Sequence, residues 1–273
     1  MTATVESTGI VLTPGSELLP GYQVVSLMRQ GRRLDTWDVY STERDCRCVV
    51  KTMRPDRRHE TKPTEALLQE GRLLRHLTHP HLVRAYEVIE VPLAAIVLET
   101  LDGATLSAVV EDHSLDVGDA AQLGLQLVSV LSYLHRHDWL HLDVKPSNVI
   151  VSCGRARLID LSLAARPGPG RRGAGTRGYL SPEQADGSPR GPAADVWGLG
   201  VTLGECLTGH LAYGEVCTWD GGRFRSPRLG WRFARRLNRL APEFAALVLA
   251  CVARSPADRP TLSNVRTTLT ALA

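Results

Sequence analysis

The sequence predicts an α+β fold in which a strand-rich N-terminal lobe precedes a mainly helical C-terminal lobe. Residues 22–99 contain five short runs rich in valine and aromatic residues, and one run with leucines at helical spacing. After residue 101, apolar residues recur at helical spacing in four long segments. Hydrophobic residues form 43% of the 273-residue chain and charged residues 22%, a composition that excludes wholesale disorder.

The elements are expected in the following order. Residues 1–20 lack periodicity and contain two prolines, so they predict an N-terminal arm. The N-lobe is expected over about 21–98, a hinge over about 99–102, and the C-lobe over about 103–273. The predicted strands are 22–28, 37–42, 46–53, 82–90 and 93–99. The predicted helices are 64–78, 116–137, 193–209, 241–253 and 261–273.

Charge and cysteine content limit the possible partners and location. The net charge of +3 is too weak to indicate nucleic acid, so no nucleic-acid partner is expected. No run approaches the roughly 18 apolar residues that span a bilayer, and no N-terminal signal is visible, so we expect a cytoplasmic protein without a membrane span. The six cysteines are scattered and lack zinc-like spacing, which predicts reduced thiols.

A carboxylate, a cation and an amide lie close together in the segment His141–Ile150. Asp143, Lys145 and Asn148 can converge on one bound group, because Pro146 favours a tight turn. Asp160 follows twelve residues after Asn148. Phosphoryl transfer needs a carboxylate to orient a hydroxyl, a cation for the transferred charge, and oxygen ligands for Mg²⁺.

This ordered set of motifs resembles the eukaryotic-type (Hanks-type) Ser/Thr protein kinases, which also occur in bacteria. The motifs are Val49-Val50-Lys51, Glu70, His141–Ile150, Asp160-Leu161-Ser162, Gly175–Glu183, Asp195–Gly200 and Asp258-Arg259-Pro260. The resemblance covers about residues 22–273 and implies a protein-kinase-like bilobal fold, with the kinase domain over 21–273. It also implies ATP and Mg²⁺ as cofactors and a protein substrate with Ser or Thr. The arginine-rich, lysine-poor composition is typical of GC-rich, actinobacterial-like genomes.

The resemblance implies a role for each matching polar residue. Asp143 would orient the substrate hydroxyl and Lys145 would neutralise the γ-phosphate, while Asn148 and Asp160 would bind Mg²⁺. Lys51 would hold the α- and β-phosphates. Only three of the 32 basic residues are lysines, and two of the three are these proposed phosphate ligands. Because lysine is a compact point charge and arginine a planar fork, this bias favours a working phosphate site.

Further residues are implied around the nucleotide. Glu70 would hold Lys51 in place, with Glu65 as the competing candidate. The other implied nucleotide contacts are Gly31, Val39, Val49, Glu99, Leu101 and Ile150. In the family, a hinge carbonyl and a hinge amide form hydrogen bonds with adenine, and these correspond here to the Glu99 carbonyl and the Leu101 amide. The side chains of Val39, Val49 and Ile150 would pack on the two faces of the adenine ring. The late arginine, Arg259, would pair with Glu183.

The glycine-rich loop of the family is missing. Where the family has GxGxxGxV, the run from Leu27 to Tyr40 keeps one glycine, Gly31. Glycines let backbone amides approach phosphates closely, so we expect weaker nucleotide binding than is usual in the family. Arg29, Arg32 or Arg33 would either supply side-chain cations instead or be solvated turn residues.

The activation segment also departs from the pattern. Leu142 stands where most regulated kinases have the arginine that receives an activation-loop phosphate. Residues 163–175 contain no Ser, Thr or Tyr, so we expect no activation-loop phosphorylation switch. Ser162 replaces the glycine of DFG.

Two other functions stay open. The lost glycines and Leu142 favour a pseudokinase scaffold or signalling module. A small-molecule phosphotransferase resembling the aminoglycoside enzymes is opposed by the Gly175–Glu183 segment and Arg259. A separate regulatory protein is a possible partner. The arginine-rich segment 223–239 is either a solvated helix face or a surface for an acidic partner.

Overall fold

A computed structural model of the chain describes residues 12–213, 219–220, 223–224, 229–240 and 242–273. The chain divides into two compact units. Among the described residues, the N-terminal unit comprises those up to Thr78 and those from Val83 to Leu101, and the C-terminal unit comprises His79–Leu82 and those from Asp102 onward. Residues 1–11 of the predicted arm lie outside the described residues.

The N-terminal unit is built on a six-stranded antiparallel sheet with the order β1-β2-β3-β4-β6-β5. Its strands are β1 (Glu17–Leu19), β2 (Tyr22–Gln30), β3 (Leu34–Ser41), β4 (Cys46–Met53), β5 (Ala85–Ile89) and β6 (Ala95–Glu99). A 3₁₀ turn, Pro55–Arg57, and one helix, α1 (Thr61–His76), join β4 to β5. The five predicted strands are confirmed, and the structure adds β1 from residues that the sequence places in the arm.

The two faces of this sheet have different surroundings because side chains alternate along each strand. One face buries Trp37, Val39, Cys48 and Val50 in a shared hydrophobic cluster. The opposite face includes Lys51, which lies between Val50 and Thr52 in β4.

Helix α1 packs closely on the sheet at a glycine. A Cβ atom at Gly71 would lie 2.8 Å from Val88 and 2.9 Å from Ile96, so only glycine permits this approach. The neighbouring Glu70 is thereby placed in the interior of the unit, with 1% of its surface exposed.

The C-terminal unit is mainly helical. Its helices are α2 (Leu106–Asp112), α3 (Val117–Arg136), α4 (Pro182–Asp186), α5 (Pro192–Thr208), α6 (Trp231–Leu237), α7 (Pro242–Cys251) and α8 (Leu262–Thr270). Its strands are β7 (Ala104–Thr105), β8 (Val149–Ser152), β9 (Arg155–Leu158), β10 (Trp219–Asp220) and β11 (Arg223–Phe224). Two 3₁₀ turns, Pro146–Asn148 and Pro256–Asp258, complete it. The predicted long helices are confirmed as α3, α5, α7 and α8.

Helix α3 leads along the chain into the polar segment 141–148, and helix α5 packs against it. Helix α3 begins after Asp116, whose side chain accepts a hydrogen bond from the Asp119 amide and caps the helix. Helix α5 is nearly buried throughout, and a Cβ atom at Gly198 would lie 3.1 Å from the Val144 side chain and 3.2 Å from its carbonyl oxygen. The glycine therefore lets α5 lie directly against this segment.

None of the helices in the described part of the chain is long and apolar enough to cross a membrane.

Candidate active site

Lys51 and Glu70 form a buried ion pair in the N-terminal unit. Lys51 Nζ lies 2.7 Å from Glu70 Oε1, and the two side chains are 15% and 1% exposed. Glu65, the competing candidate, lies on the exposed side of α1. Glu70, and not Glu65, is therefore the partner of Lys51. Its carboxylate contacts the lysine directly and is shielded from water.

The sheet register corrects one predicted nucleotide contact. Asp38 lies opposite Val49, and Val39 lies opposite Cys48. Directly opposite residues share a face, so Val49 and Lys51 share theirs with Asp38. Val39 points to the other face, where it is completely buried in the hydrophobic cluster. Asp38 is itself buried and binds the Arg47 side chain, with Arg47 Nε 3.0 Å from its Oδ1.

The remaining predicted nucleotide contacts are distributed over both units. Gly31 lies in the β2–β3 turn, and Glu99 ends β6 with its carboxylate accepting a hydrogen bond from the Arg84 amide at 2.8 Å. Leu101 is the last residue of the N-terminal unit. Ile150 belongs to β8 in the C-terminal unit.

Asp143 is the centre of a hydrogen-bonded network in the C-terminal unit. Its Oδ2 accepts hydrogen bonds from Lys145 Nζ at 2.6 Å and from Asn148 Nδ2 at 3.0 Å. Its Oδ1 accepts from the Thr176 hydroxyl at 2.6 Å, and Lys145 also donates to that hydroxyl. The three predicted catalytic residues are therefore together, and Thr176 of the activation segment joins them.

A second buried aspartate holds the backbone of this segment. Asp195 of α5 accepts hydrogen bonds from the amides of His141 at 2.9 Å and Leu142 at 2.7 Å, and its Oδ2 lies 2.7 Å from His135 Nε2. Burial acts to raise the pKa of Asp195, but the hydrogen bond from His135, the charge interactions with His135 and His141, and the Leu142 amide together outweigh it and lower that pKa. The anchor is therefore an ionised carboxylate.

Leu142 needs this anchor because its backbone is left-handed, with φ of 64°. Such a conformation is strained for a branched residue and persists only where the surroundings hold it. Gln184 adds a further constraint, since its Nε2 donates to the Leu142 carbonyl at 2.8 Å. Sequence reasoning missed the roles of His135 and Gln184, because no local pattern marks contacts over 60 and 42 residues.

The two predicted magnesium ligands lie at the same end of the β8–β9 hairpin, Asn148 just before β8 and Asp160 shortly after β9. The Ile159 amide donates to the Asn148 carbonyl at 2.8 Å, so Asp160 follows directly beside Asn148. Asn148 uses its Nδ2 for the Asp143 carbonyl and carboxylate, which leaves Oδ1 as its remaining polar atom. An amide oxygen and a carboxylate are hard oxygen ligands, so this donor set fits Mg²⁺.

The activation segment is held by apolar packing and backbone bonds. Leu142 packs with Leu140 and Ala194, and Leu163 and Ala165 cover this cluster. Leu140 and Ala165 exchange backbone hydrogen bonds of 2.8 and 3.1 Å. Apolar packing and backbone hydrogen bonds thus hold this part of the segment beside Leu142.

The end of the activation segment is fixed by a buried ion pair. Arg259 donates to Glu183 through two nitrogens, at 2.7 and 2.9 Å. The Arg259 side chain is fully buried and Glu183 is 5% exposed.

The arginine-rich segment is described only in part. Arg225 and Arg228 lie outside the described residues. In α6, Phe233 is fully buried while Trp231 is 67% exposed. The arginines on the outer side of α6 and just after it are exposed to solvent: Arg232, Arg235, Arg236 and Arg239.

Comparisons with known proteins agree on one family. The family model described as "Protein kinase domain" matches residues 22–269. The Ser/Thr protein kinase PkaA of Streptomyces coelicolor is 29% identical over 233 residues, which cover 80% of this chain and 41% of PkaA. The Ser/Thr protein kinase PknK of Mycobacterium tuberculosis is 32% identical over 212 residues, which cover 72% of this chain and 19% of PknK.

A solved structure gives the same picture for the fold. The crystal structure of the Mycobacterium tuberculosis PknI kinase domain has a TM-score of 0.74 and 21% sequence identity, and the alignment covers 96% of this chain and 100% of that chain. The chain spans half or less of the length of the curated relatives it matches, with shares of 31%, 50%, 41% and 19%.

Proposed function

We propose that this chain, which belongs to the protein kinase family, transfers the γ-phosphate of ATP to serine or threonine hydroxyls of proteins. Its α+β protein-kinase fold agrees with the fold predicted from the sequence. The observation that carries the proposal is the network in which Lys145, Asn148 and Thr176 all bind the Asp143 carboxylate. The position of Thr176 beside this carboxylate favours Ser/Thr over tyrosine as the acceptor.

The residues divide the work of phosphoryl transfer. Asp143 accepts a hydrogen bond from the substrate hydroxyl and orients its oxygen for attack. Lys145 offsets the charge of the transferred group. Lys51, held by Glu70, binds the α- and β-phosphates, as the family resemblance implies. Mg²⁺, held by Asn148 and Asp160, would neutralise the phosphate oxygens when bound.

The proposal is tested by transfer of labelled phosphate from Mg-ATP to a generic Ser/Thr protein substrate, followed by phosphoamino acid analysis. We expect phosphoserine or phosphothreonine. We also expect EDTA in excess over Mg²⁺ to abolish the label, because EDTA removes the Mg²⁺ that Asn148 and Asp160 would hold. Kanamycin as acceptor is the control for a small-molecule phosphotransferase. Nucleotide binding without transfer to any acceptor would replace the proposal by the pseudokinase scaffold.

Activity is expected to be independent of activation-segment phosphorylation, because the apolar cluster around Leu142 replaces the phosphate receiver. The protein is treated with a broad Ser/Thr phosphatase and then separated from the phosphatase. Its rate of phosphoryl transfer should stay within about twofold of the rate before treatment. Mass spectrometry before and after treatment checks that phosphate was removed. A loss of most of the activity that returns with phosphorylated Thr176 would contradict this prediction.

The proposal includes a cytoplasmic location for the protein. It also includes a separate regulatory protein as a partner.

A further inference from the structure

The hairpin formed by β2 and β3 takes the place in the chain where protein kinases have a glycine-rich loop. Such loops bind phosphate through backbone amides, and this hairpin has a single glycine, Gly31. From the strand register, we infer that the side chain of Arg29 binds the phosphate groups of the nucleotide in place of those amides. The inference rests on the proposed function and names the residue that compensates for the missing glycines.

The turn of the hairpin is fixed to the segment between β4 and α1. Gly31 donates a backbone hydrogen bond to Leu34 at 2.8 Å, and a Cβ atom at Gly31 would lie 2.6 Å from that carbonyl oxygen. Arg54 donates its amide to the Arg33 carbonyl at 2.9 Å and its Nη1 to the Gly31 carbonyl at 3.2 Å. Arg33 Nε lies 2.9 Å from Glu60 Oε2. Arg33 is therefore engaged in holding the turn.

A β-bulge turns Arg29 toward the face of Lys51. Leu27 lies opposite Trp37, and the register then shifts so that Arg29 lies opposite Thr36. Without the extra residue at the bulge, Arg29 would lie opposite Asp35, on the other face of the sheet. Bulges commonly re-aim side chains beside functional sites.

The register then forms one row across three strands. Arg29 lies opposite Thr36, and Thr36 lies opposite Lys51. Residues directly opposite in antiparallel strands share a face. Neighbouring strands lie ~4.8 Å apart, so the Cα atoms of Arg29 and Lys51 are separated by about 10 Å. Two long cationic side chains at this separation can bind successive phosphates of one nucleotide.

The charges in this row favour an anion. Lys51 is paired with Glu70, so its positive charge is already offset. Arg29 is exposed, and within the part of the chain that the structure describes its side chain has no hydrogen bond or ion pair. The carboxylate of Asp38 on the same face is bound by Arg47. An unpaired guanidinium matches phosphate geometry, because its planar fork can donate two parallel hydrogen bonds.

Calorimetric titration of the full chain with Mg-ATP and with adenosine tests this inference. Arg29→Ala should weaken Mg-ATP binding by at least about tenfold, the effect of losing a charge-assisted hydrogen bond. It should leave adenosine binding within about twofold, since adenosine has no phosphate. Arg29→Gln, which keeps much of the aliphatic stem, should behave in the same way. Arg32→Ala is the matched control, because Arg32 is also exposed but lies in the turn, outside the row.

Each result decides a different question. If the unmodified chain binds Mg-ATP, and Arg29→Ala and Arg29→Gln bind it with unchanged affinity, the inference about Arg29 is wrong. The proposed function would not be affected by that result. An equal loss in Arg32→Ala would also overturn it, because the charge of the whole hairpin would then be responsible. A chain that binds no Mg-ATP before any substitution would overturn the proposed function together with the inference.

Discussion

Asp143→Asn is expected to lower the rate of phosphoryl transfer by about 10³-fold, within the range for loss of a positioned proton acceptor. The carboxylate accepts hydrogen bonds from Lys145, Asn148 and Thr176. Asparagine keeps the shape but loses the charge that attracts the proton of the substrate hydroxyl. Initial rates of label transfer at saturating Mg-ATP measure the effect.

The variant should remain folded and bind nucleotide. An asparagine amide can donate to the Thr176 hydroxyl, which can rotate to accept, so the melting temperature should fall by only a few degrees. Mg-ATP affinity should stay within about threefold. Asp119→Asn is the matched control, since it makes the same charge change on an exposed residue in the first turn of α3. More than a tenth of the normal rate in Asp143→Asn would contradict the assigned role.

The fold could be predicted from the sequence wherever one segment determines its own structure. The leucines of α1 and α3 repeat at helical spacing, and Asp116 marks the start of α3. The sequence pattern does not predict strand β1, because three residues are too few to show alternation. Its existence depends on pairing with β2, which buries Leu19.

The candidate site could be predicted to the extent that its residues follow one another in fixed order. The spacing of Asp143, Lys145 and Asn148 predicts that their side chains converge. The structure confirms this, since Lys145 and Asn148 both bind the Asp143 carboxylate. The motif alignment places Val39 on the wrong face, because a shift of one residue along a strand moves a side chain to the opposite face. That face is fixed by the pairing of β3 with β4, which puts Asp38 opposite Val49.

The contact of His135 with Asp195 and the bulge beside Arg29 have no local signal in the sequence. His135 was unassigned, although it binds the aspartate that holds the amides of His141 and Leu142. The bulge that selects Arg29 among the hairpin arginines is likewise a property of the pairing of β2 with β3. In both cases the residue type permits many roles, and tertiary structure chooses one.

Arg259→Met is expected to lower the free energy of unfolding by about 3–5 kcal/mol, the range for breaking a buried ion pair by removing one partner. The substitution leaves the Glu183 carboxylate buried without its two guanidinium hydrogen bonds. It also removes donors from three carbonyl groups, those of Ala193, Ala253 and Arg254. Urea unfolding followed by tryptophan fluorescence measures the loss, provided that the slope of the transition is unchanged.

The matched control is Arg166→Met, in which the lost side chain is 58% exposed, so its effect should stay below about 1 kcal/mol. The double variant Glu183→Met/Arg259→Met should lose less than the sum of the two single variants, because no unpaired charge remains in the interior. Transfer activity should fall with Arg259→Met even where the protein is still folded, since Glu183 precedes Gln184, which binds the Leu142 carbonyl. Additive losses in the double variant would show that the ion pair is not what holds this end of the activation segment.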